Sequence, residues 1–286
     1  MDKLEIRAAT KDEFSIVLEW AAAEGWNPGL DDLSAFYAAD PKGFLMGFLG
    51  SKPVSSISVV QYGKSYGFLG FYIVHPEFRG QGIGIATWNK GLKHLAGRTI
   101  GLDGVVDQQD NYQKSGFILQ GRNIRHTGIP VLNPKGQPDL EIRNISQGDM
   151  DALFSYDRHL FSIQRTAFLT AWLQHGNFGK RTTKVALKNG KICGFGALRE
   201  CRNGFKVGPL FSENPQTADT LLTALCERLP KDAEISLDTP EDNSEAVALA
   251  RKYGLKPTFE TARMYKGCAP SLPIDKIYGI TSFELG

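Results

Sequence analysis

The sequence predicts an α/β (α+β) protein made of two tandem copies of one unit, each a mixed, mostly antiparallel sheet flanked by helices. Three observations carry this. The length, 286 residues, suits two domains of ordinary size. Leu4-Glu5-Ile6-Arg7 recurs as Leu140-Glu141-Ile142-Arg143, each copy followed by a short polar turn and a helix-like segment. Near the end of each half, Tyr112-Gln113-Lys114-Ser115-Gly116-Phe117 has a counterpart in Lys252-Tyr253-Gly254-Leu255, at nearly the same offset as the first pair. Between the copies, residues 131–139 read VLNPKGQPD, a turn-forming linker. The expected division is a first domain over 1–130, a linker over 131–139 and a second domain over 140–286.

In the first copy, 4–8 reads as a short strand, and 13–24 has helical periodicity through Phe14, Val17, Leu18 and Ala21. A second helix covers 31–38, with Asp31 or a neighbour as its cap. Three strands follow at 43–49, 53–62 and 65–74, separated by turns at Gly50-Ser51-Lys52 and Gly63-Lys64. A helix over 82–95, a strand over 99–105, a short helix bearing Tyr112 and a strand over 117–129 complete the unit. The sheet is expected to be antiparallel at first and to split where its fourth strand meets its fifth. The tail after Lys276 alternates apolar and polar residues and reads as an ordered strand.

Composition narrows the function. Lys plus Arg number 33 and Asp plus Glu 31, so there is no basic footprint for nucleic acid. No stretch approaches 18 apolar residues, and the N-terminus has no apolar leader, so no membrane partner and a cytoplasmic location are expected. The four cysteines (193, 201, 226 and 268) fit no metal-ligand or disulfide spacing, and the first half has none. No metal site is expected, and the oligomeric state is a monomer or a homodimer.

Glycine is the unusual entry in the composition, 31 residues. Three of them form Arg79-Gly80-Gln81-Gly82-Ile83-Gly84, directly after a strand and at the start of a helix. Glycines there let successive backbone N–H groups converge, and the helix adds its positive N-terminal end, so the turn is an anion cradle suited to a pyrophosphate. Arg79 can add charge. The turn is not GxxxxGK[ST], and GxGxG after several strands is not a dinucleotide fingerprint. An acyl-CoA pyrophosphate turn and a tight turn without a ligand remain.

At these residues the sequence resembles the GNAT acetyltransferase superfamily. Arg79, Gly82 and Gly84 match its [QR]-x-x-G-x-[GA] motif, Val74-His75-Pro76 resembles the strand end leading into it, and Tyr112-x-Lys114-x-Gly116-Phe117 resembles its Y-x-K-x-G-F. The resemblance spans residues 4 to about 129 in the family's order. It implies acetyl transfer from acetyl-CoA to a small-molecule or peptide amine, directly in a ternary complex. It implies that Arg79, Gly80, Gln81, Gly82, Ile83 and Gly84 hold the pyrophosphate, that Ile73 and Val74 pair with the pantetheine arm, and that Tyr112 protonates the leaving thiolate, unless it only packs. It places Glu24, Trp26 and Asn27 on the loop that walls the acceptor pocket, with Trp26 filling the core as the alternative. The fourth strand lacks the carboxylate common in the family, leaving Glu24, Asp103 or a water as the base. That departure keeps a non-catalytic acyl-CoA sensor, or a pseudoenzyme, as the rival reading.

The second copy has lost the cradle. Its equivalent turn, 208–215, has no Arg-x-x-Gly-x-Gly, Pro209 and Pro215 lack N–H donors, and Glu213 adds repulsive charge. It is expected not to bind CoA tightly. Asp157, Arg158, Arg165 and Trp172 would line a cleft facing the first domain or form an ordinary helix face.

Overall fold

The computed structural model describes residues 3–132, 139–173 and 180–286. The first copy contributes β1 (Leu4–Ala8), α1 (Lys11–Ala23), α2 (Asp32–Ala39), β2 (Phe44–Leu49), β3 (Lys52–Tyr62), β4 (Tyr66–Val74), α3 (Ile83–His94), β5 (Thr99–Val105), α4 (Gln109–Lys114) and β6 (Ile118–Gly128). The second contributes β7 (Leu140–Asn144), α5 (Met150–Phe161), α6 (Thr166–Leu173), β8 (Arg181–Lys188), β9 (Lys191–Glu200), β10 (Phe205–Ser212), α7 (Pro215–Cys226), β11 (Ile235–Pro240), α8 (Ser244–Lys252), β12 (Lys256–Lys266) and β13 (Ile277–Gly279). The elements of the first copy fall within two residues of the sequence reading. Of the expected linker, residues 133–138 lie outside the described residues.

The internal repeat is visible as chemistry. Thr10 and Glu13 close a capping box on α1, and Arg7 forks onto the Glu13 carboxylate at 2.9 and 2.6 Å. In the second copy Ser146 and Asp149 form the same box, and Arg143 forks onto Asp149 at 2.7 and 2.6 Å. The repeated arginine therefore ties the first strand of each copy to the cap of its first helix.

The two copies share one sheet of order β1-β2-β3-β4-β5-β12-β6-β11-β10-β9-β8-β7. This order reads the same from both ends once each strand is matched to its repeat partner. The last strands are exchanged: β12 pairs with β5, β6 pairs with β11, and β12 and β6 pair with each other, all antiparallel. Among the described residues only β4–β5 and β10–β11 are parallel. The main apolar core likewise draws on both copies, from Phe14, Phe36 and Phe44 to Phe168, Trp172 and Phe195.

Three details differ from the sequence reading. Asp31 makes no side-chain cap on α2; its carboxylate meets Arg181 at 2.8 Å, while Asp32 accepts from the Gly29 N–H at 2.9 Å. The tail is a strand only over β13, and 280–286 is buried without strand pairing. Asp157, Arg165 and Trp172 are neither a solvent face nor a cleft wall, because all three are buried. Trp172 stacks on Phe36 of the first copy, with Arg181 and Arg199 over its ring at 4.2 and 4.4 Å. Arg165 forks onto Asp157 at 3.0 and 2.8 Å and reaches the tail at Thr281 Oγ1 (2.8 Å) and the Gly286 oxygen (3.1 Å).

Candidate active site

The expected split in the sheet exists and forms a cleft. The β4–β5 register ends at Leu69–Leu102, while β4 continues to Val74 on its β3 side. A bulge in that pairing, with Phe71 at φ 45°, turns β4 away from β5. The resulting cleft measures about 570 Å³. It is lined from the first copy by Glu24, Trp26, residues 69–74, Arg79, residues 102–105 and Tyr112, and from the exchanged β12 by Phe259 and Thr261. Phe283 and Glu284 of the tail close it.

Tyr112 is set in this cleft by α4. Its ring stacks on Trp88 at 5.5 Å and lies where any side chain on Gly104 would stand, since a Cβ there would come within 2.3 Å of the ring. Burial pushes its phenol well above the ordinary range, with Tyr72 adding to the rise, so the hydroxyl carries its proton at neutral pH.

At the mouth, the turn before α3 has the form the glycines predicted. Gly80 and Gly82 have φ of 77° and 79°, and a Cβ at either would meet nothing within 4 Å. Gly82 is the N-cap of α3 and makes no side-chain cap, leaving the helix N-terminus open. Gly84 serves packing instead: a Cβ there would lie 2.9 Å from the Tyr72 hydroxyl. The Gln81 amide bonds the Glu77 carbonyl at 3.1 Å. Open space, two glycines at positive φ and an uncapped helix end fit a pyrophosphate.

The other expected residues are placed less simply. Arg79 donates to the Val74 carbonyl at 3.0 Å and pairs with Glu24, so these two residues hold each other at the rim. Trp26 lines the cleft and also packs on the core, and its carbonyl accepts from Lys206 (2.7 Å) and Arg125 (3.2 Å). Asn27 does not line the cleft; its amide donates to the Asn203 carbonyl at 2.8 Å and links the copies. Both oxygens of Asp103 are held, by the Arg263 fork at 2.7 and 2.6 Å and by Asn123 at 2.8 Å, while burial draws its carboxyl upward. Arg263 lies on β12, so the second copy supplies a ligand to the first copy's cleft wall.

The matching place in the second copy is filled. There β13 pairs with β10 at Leu210 and Phe211, just beyond the bulge that follows Val207. The Gly208 position is closed by the carbonyls of Ile280 and Thr281, 2.7 and 2.5 Å from where a Cβ would be. The N-terminus of α7 is capped by the Asn214 side chain on the Thr217 N–H at 2.9 Å, and Pro215 occupies its first turn. The tail also covers Gly70 of β4, so the contrast lies in β13 and the Asn214 cap: β4 beyond Leu69 has no strand on its β5 side, and α3 has no side-chain cap.

Sequence reasoning missed Phe71, Phe259, Thr261, Phe283 and Glu284. The first is a local bulge, and the rest reach the cleft only through strand exchange and the path of the tail, so no short motif marks them.

These features define an acyltransferase of the GNAT family, to which the chain belongs. A profile described as acetyltransferase (GNAT) family matches residues 6–117, and one described as acetyltransferase (GNAT) domain matches 153–279. The chain is 33% identical over 284 residues to the holothin acyltransferase of Pseudoalteromonas sp. (strain SANK 73390), covering 98% of this chain and 94% of that protein. A candidate acetyltransferase structure from Pyrococcus horikoshii matches with a TM-score of 0.79 at 22% identity, over 99% of this chain and 96% of the other. A tandem GNAT protein from the clavulanic acid biosynthesis pathway matches at 0.63 and 15%, over 94% and 100%. These two structures share the fold.

Proposed function

We propose that the first copy binds acetyl-CoA and transfers its acetyl group directly to an amine acceptor, and that the second copy binds no CoA of its own. The observation that carries this is the contrast between equivalent sites: the unpaired edge of β4 and the uncapped N-terminus of α3 in one copy, β13 and the Asn214 cap in the other. The thioester is the activated acyl group. Residues 80–84 would hold the pyrophosphate, and the β4 edge at Ile73 and Val74 would accept the pantetheine arm as an added strand. A backbone N–H of that edge would stabilise charge on the carbonyl oxygen. Tyr112, protonated at neutral pH, gives its proton to the departing sulfur. The four cysteines all lie in the second half and none lines the cleft, in keeping with transfer without a cysteinyl intermediate.

The acceptor is a small-molecule amine, and the relative's name makes holothin the first compound to try. Calorimetry with acetyl-CoA, followed by thiol release with holothin and a panel of primary amines, tests the proposal. One acetyl-CoA per chain and CoA release with an acceptor are expected; no binding would end it.

The cradle has its own test. Gly82→Val forces a β-branched residue into φ 79°, a strain of about 1–3 kcal/mol. The turn should relax and lose its converging N–H groups, so acetyl-CoA affinity falls at least about tenfold. Calorimetry showing an unchanged Kd would mean that the turn does not hold the pyrophosphate.

A further inference from the structure

The reaction needs a proton acceptor, and the carboxylates considered from sequence are engaged: Glu24 pairs with Arg79, and both oxygens of Asp103 are held. A different carboxylate stands in the cleft. Glu284 lies in the tail, is only 4% exposed, and lines the cleft. Its Oε1 is buried and has no hydrogen-bond partner among the described residues. An unpaired buried carboxylate oxygen is costly, and one on a residue that lines a cleft points to a ligand that completes it.

Its surroundings are strongly charged. Arg125 on β6, Arg199 on β9 and Lys206 on β10 lie near enough to Glu284 to feel its charge, and each also has another partner. Arg125 forks onto Asp238 at 2.7 and 2.8 Å, Arg199 pairs with Asp32, and Lys206 donates to the Trp26 carbonyl. The tail backbone is fixed at the same point. A Cβ on Gly70 would lie 2.2 Å from the Glu284 carbonyl oxygen, so the tail rests directly on β4 at its bulge.

We propose that Glu284 is the general base of the transfer and the anchor for the acceptor nitrogen. This rests on the acyl-transfer reading above. The nitrogen lone pair forms the C–N bond as the C–S bond breaks. Glu284 takes the proton that the nitrogen must lose, and Tyr112 gives one to the sulfur. Solvent carries the proton from Glu284 back to Tyr112, so atoms and charge balance without an oxidant or further reactant. An acceptor that arrives as an ammonium gives up its extra proton through the same carboxylate. The base is thus supplied from the second copy's end of the chain to the first copy's site.

Glu284→Gln and Glu284→Ala are tested with acetyl-CoA and the acceptor, holothin or a primary amine, that wild type uses best. Expected are a fall in kcat of about 100-fold, unchanged acetyl-CoA affinity by calorimetry, and partial recovery of Glu284→Ala by added formate, which restores a carboxylate but not the tail's packing. Glu284→Gln retaining kcat within about threefold would overturn the assignment while leaving acyl transfer in place. So would a loss that formate does not relieve and that tracks weakened acetyl-CoA binding or an early thermal transition. A wild-type protein that binds acetyl-CoA but acylates no probe would instead remove the reading on which the assignment rests.

Discussion

Arg165→Met is expected to lower the stability of the folded chain by about 3–5 kcal/mol, the range for breaking a buried ion pair from one side. The Arg165 and Asp157 side chains are 0% and 1% exposed, so Asp157 would be left as an unpaired charge with no water to solvate it. The same arginine holds Thr281 and the Gly286 oxygen, and its guanidinium lies 3.9 Å from the Phe161 ring centroid. Few other contacts secure the tail this directly, so activity should fall along with stability. Denaturant unfolding measures the first effect, and a change under about 1 kcal/mol would contradict it. The double variant Asp157→Leu/Arg165→Met separates charge from shape. Removing both charges should recover much of the loss, because apolar replacement of a whole buried pair is often neutral. Activity should stay low in the double variant, since the tail would still lack its hydrogen bonds.

Tyr112→Phe is expected to cut kcat by about 100-fold and leave acetyl-CoA affinity unchanged, the signature of a group that acts in the transition state. Phenylalanine keeps the stacking on Trp88 and the fit against Gly104, so packing alone predicts no such loss. The phenol is held above its ordinary pKa by burial, which preserves the proton it must donate. Steady-state kinetics with an active acceptor, beside calorimetry, decides the matter. An unchanged kcat would make Tyr112 a packing residue and pass the sulfur's protonation to water.

What could be read from the sequence was local. The glycine turn and the start and stop of each first-copy element follow from neighbours within about four residues, and the elements fell within two residues of the reading. The repeat was legible because Leu-Glu-Ile-Arg carries a conserved job in both copies, with Arg7 and Arg143 each gripping a cap six residues on. The exchange of β6 and β12 was not legible, since a strand's pattern of buried residues records that it has neighbours and not which ones. The role of the tail was hidden for a related reason. Its alternation suggested a strand, but Ile280, Phe283 and Leu285 are buried in the core that both copies share. No local pattern marks Glu284, which the fold brings beside β4.

The exchanged strands also bear on how the protein is made and how its gene can change. During synthesis the first 130 residues emerge with a gap beside β5, which is filled only when β12 arrives near the end of translation. Until then an open strand edge is exposed to wrong partners. The nascent first copy therefore cannot finish its cleft early, however quickly its helices form. On a longer timescale, the same dependence keeps the second copy in the gene. Losing its own cradle cost it one use, but a deletion would also remove β12, Arg263 and the tail from its neighbour.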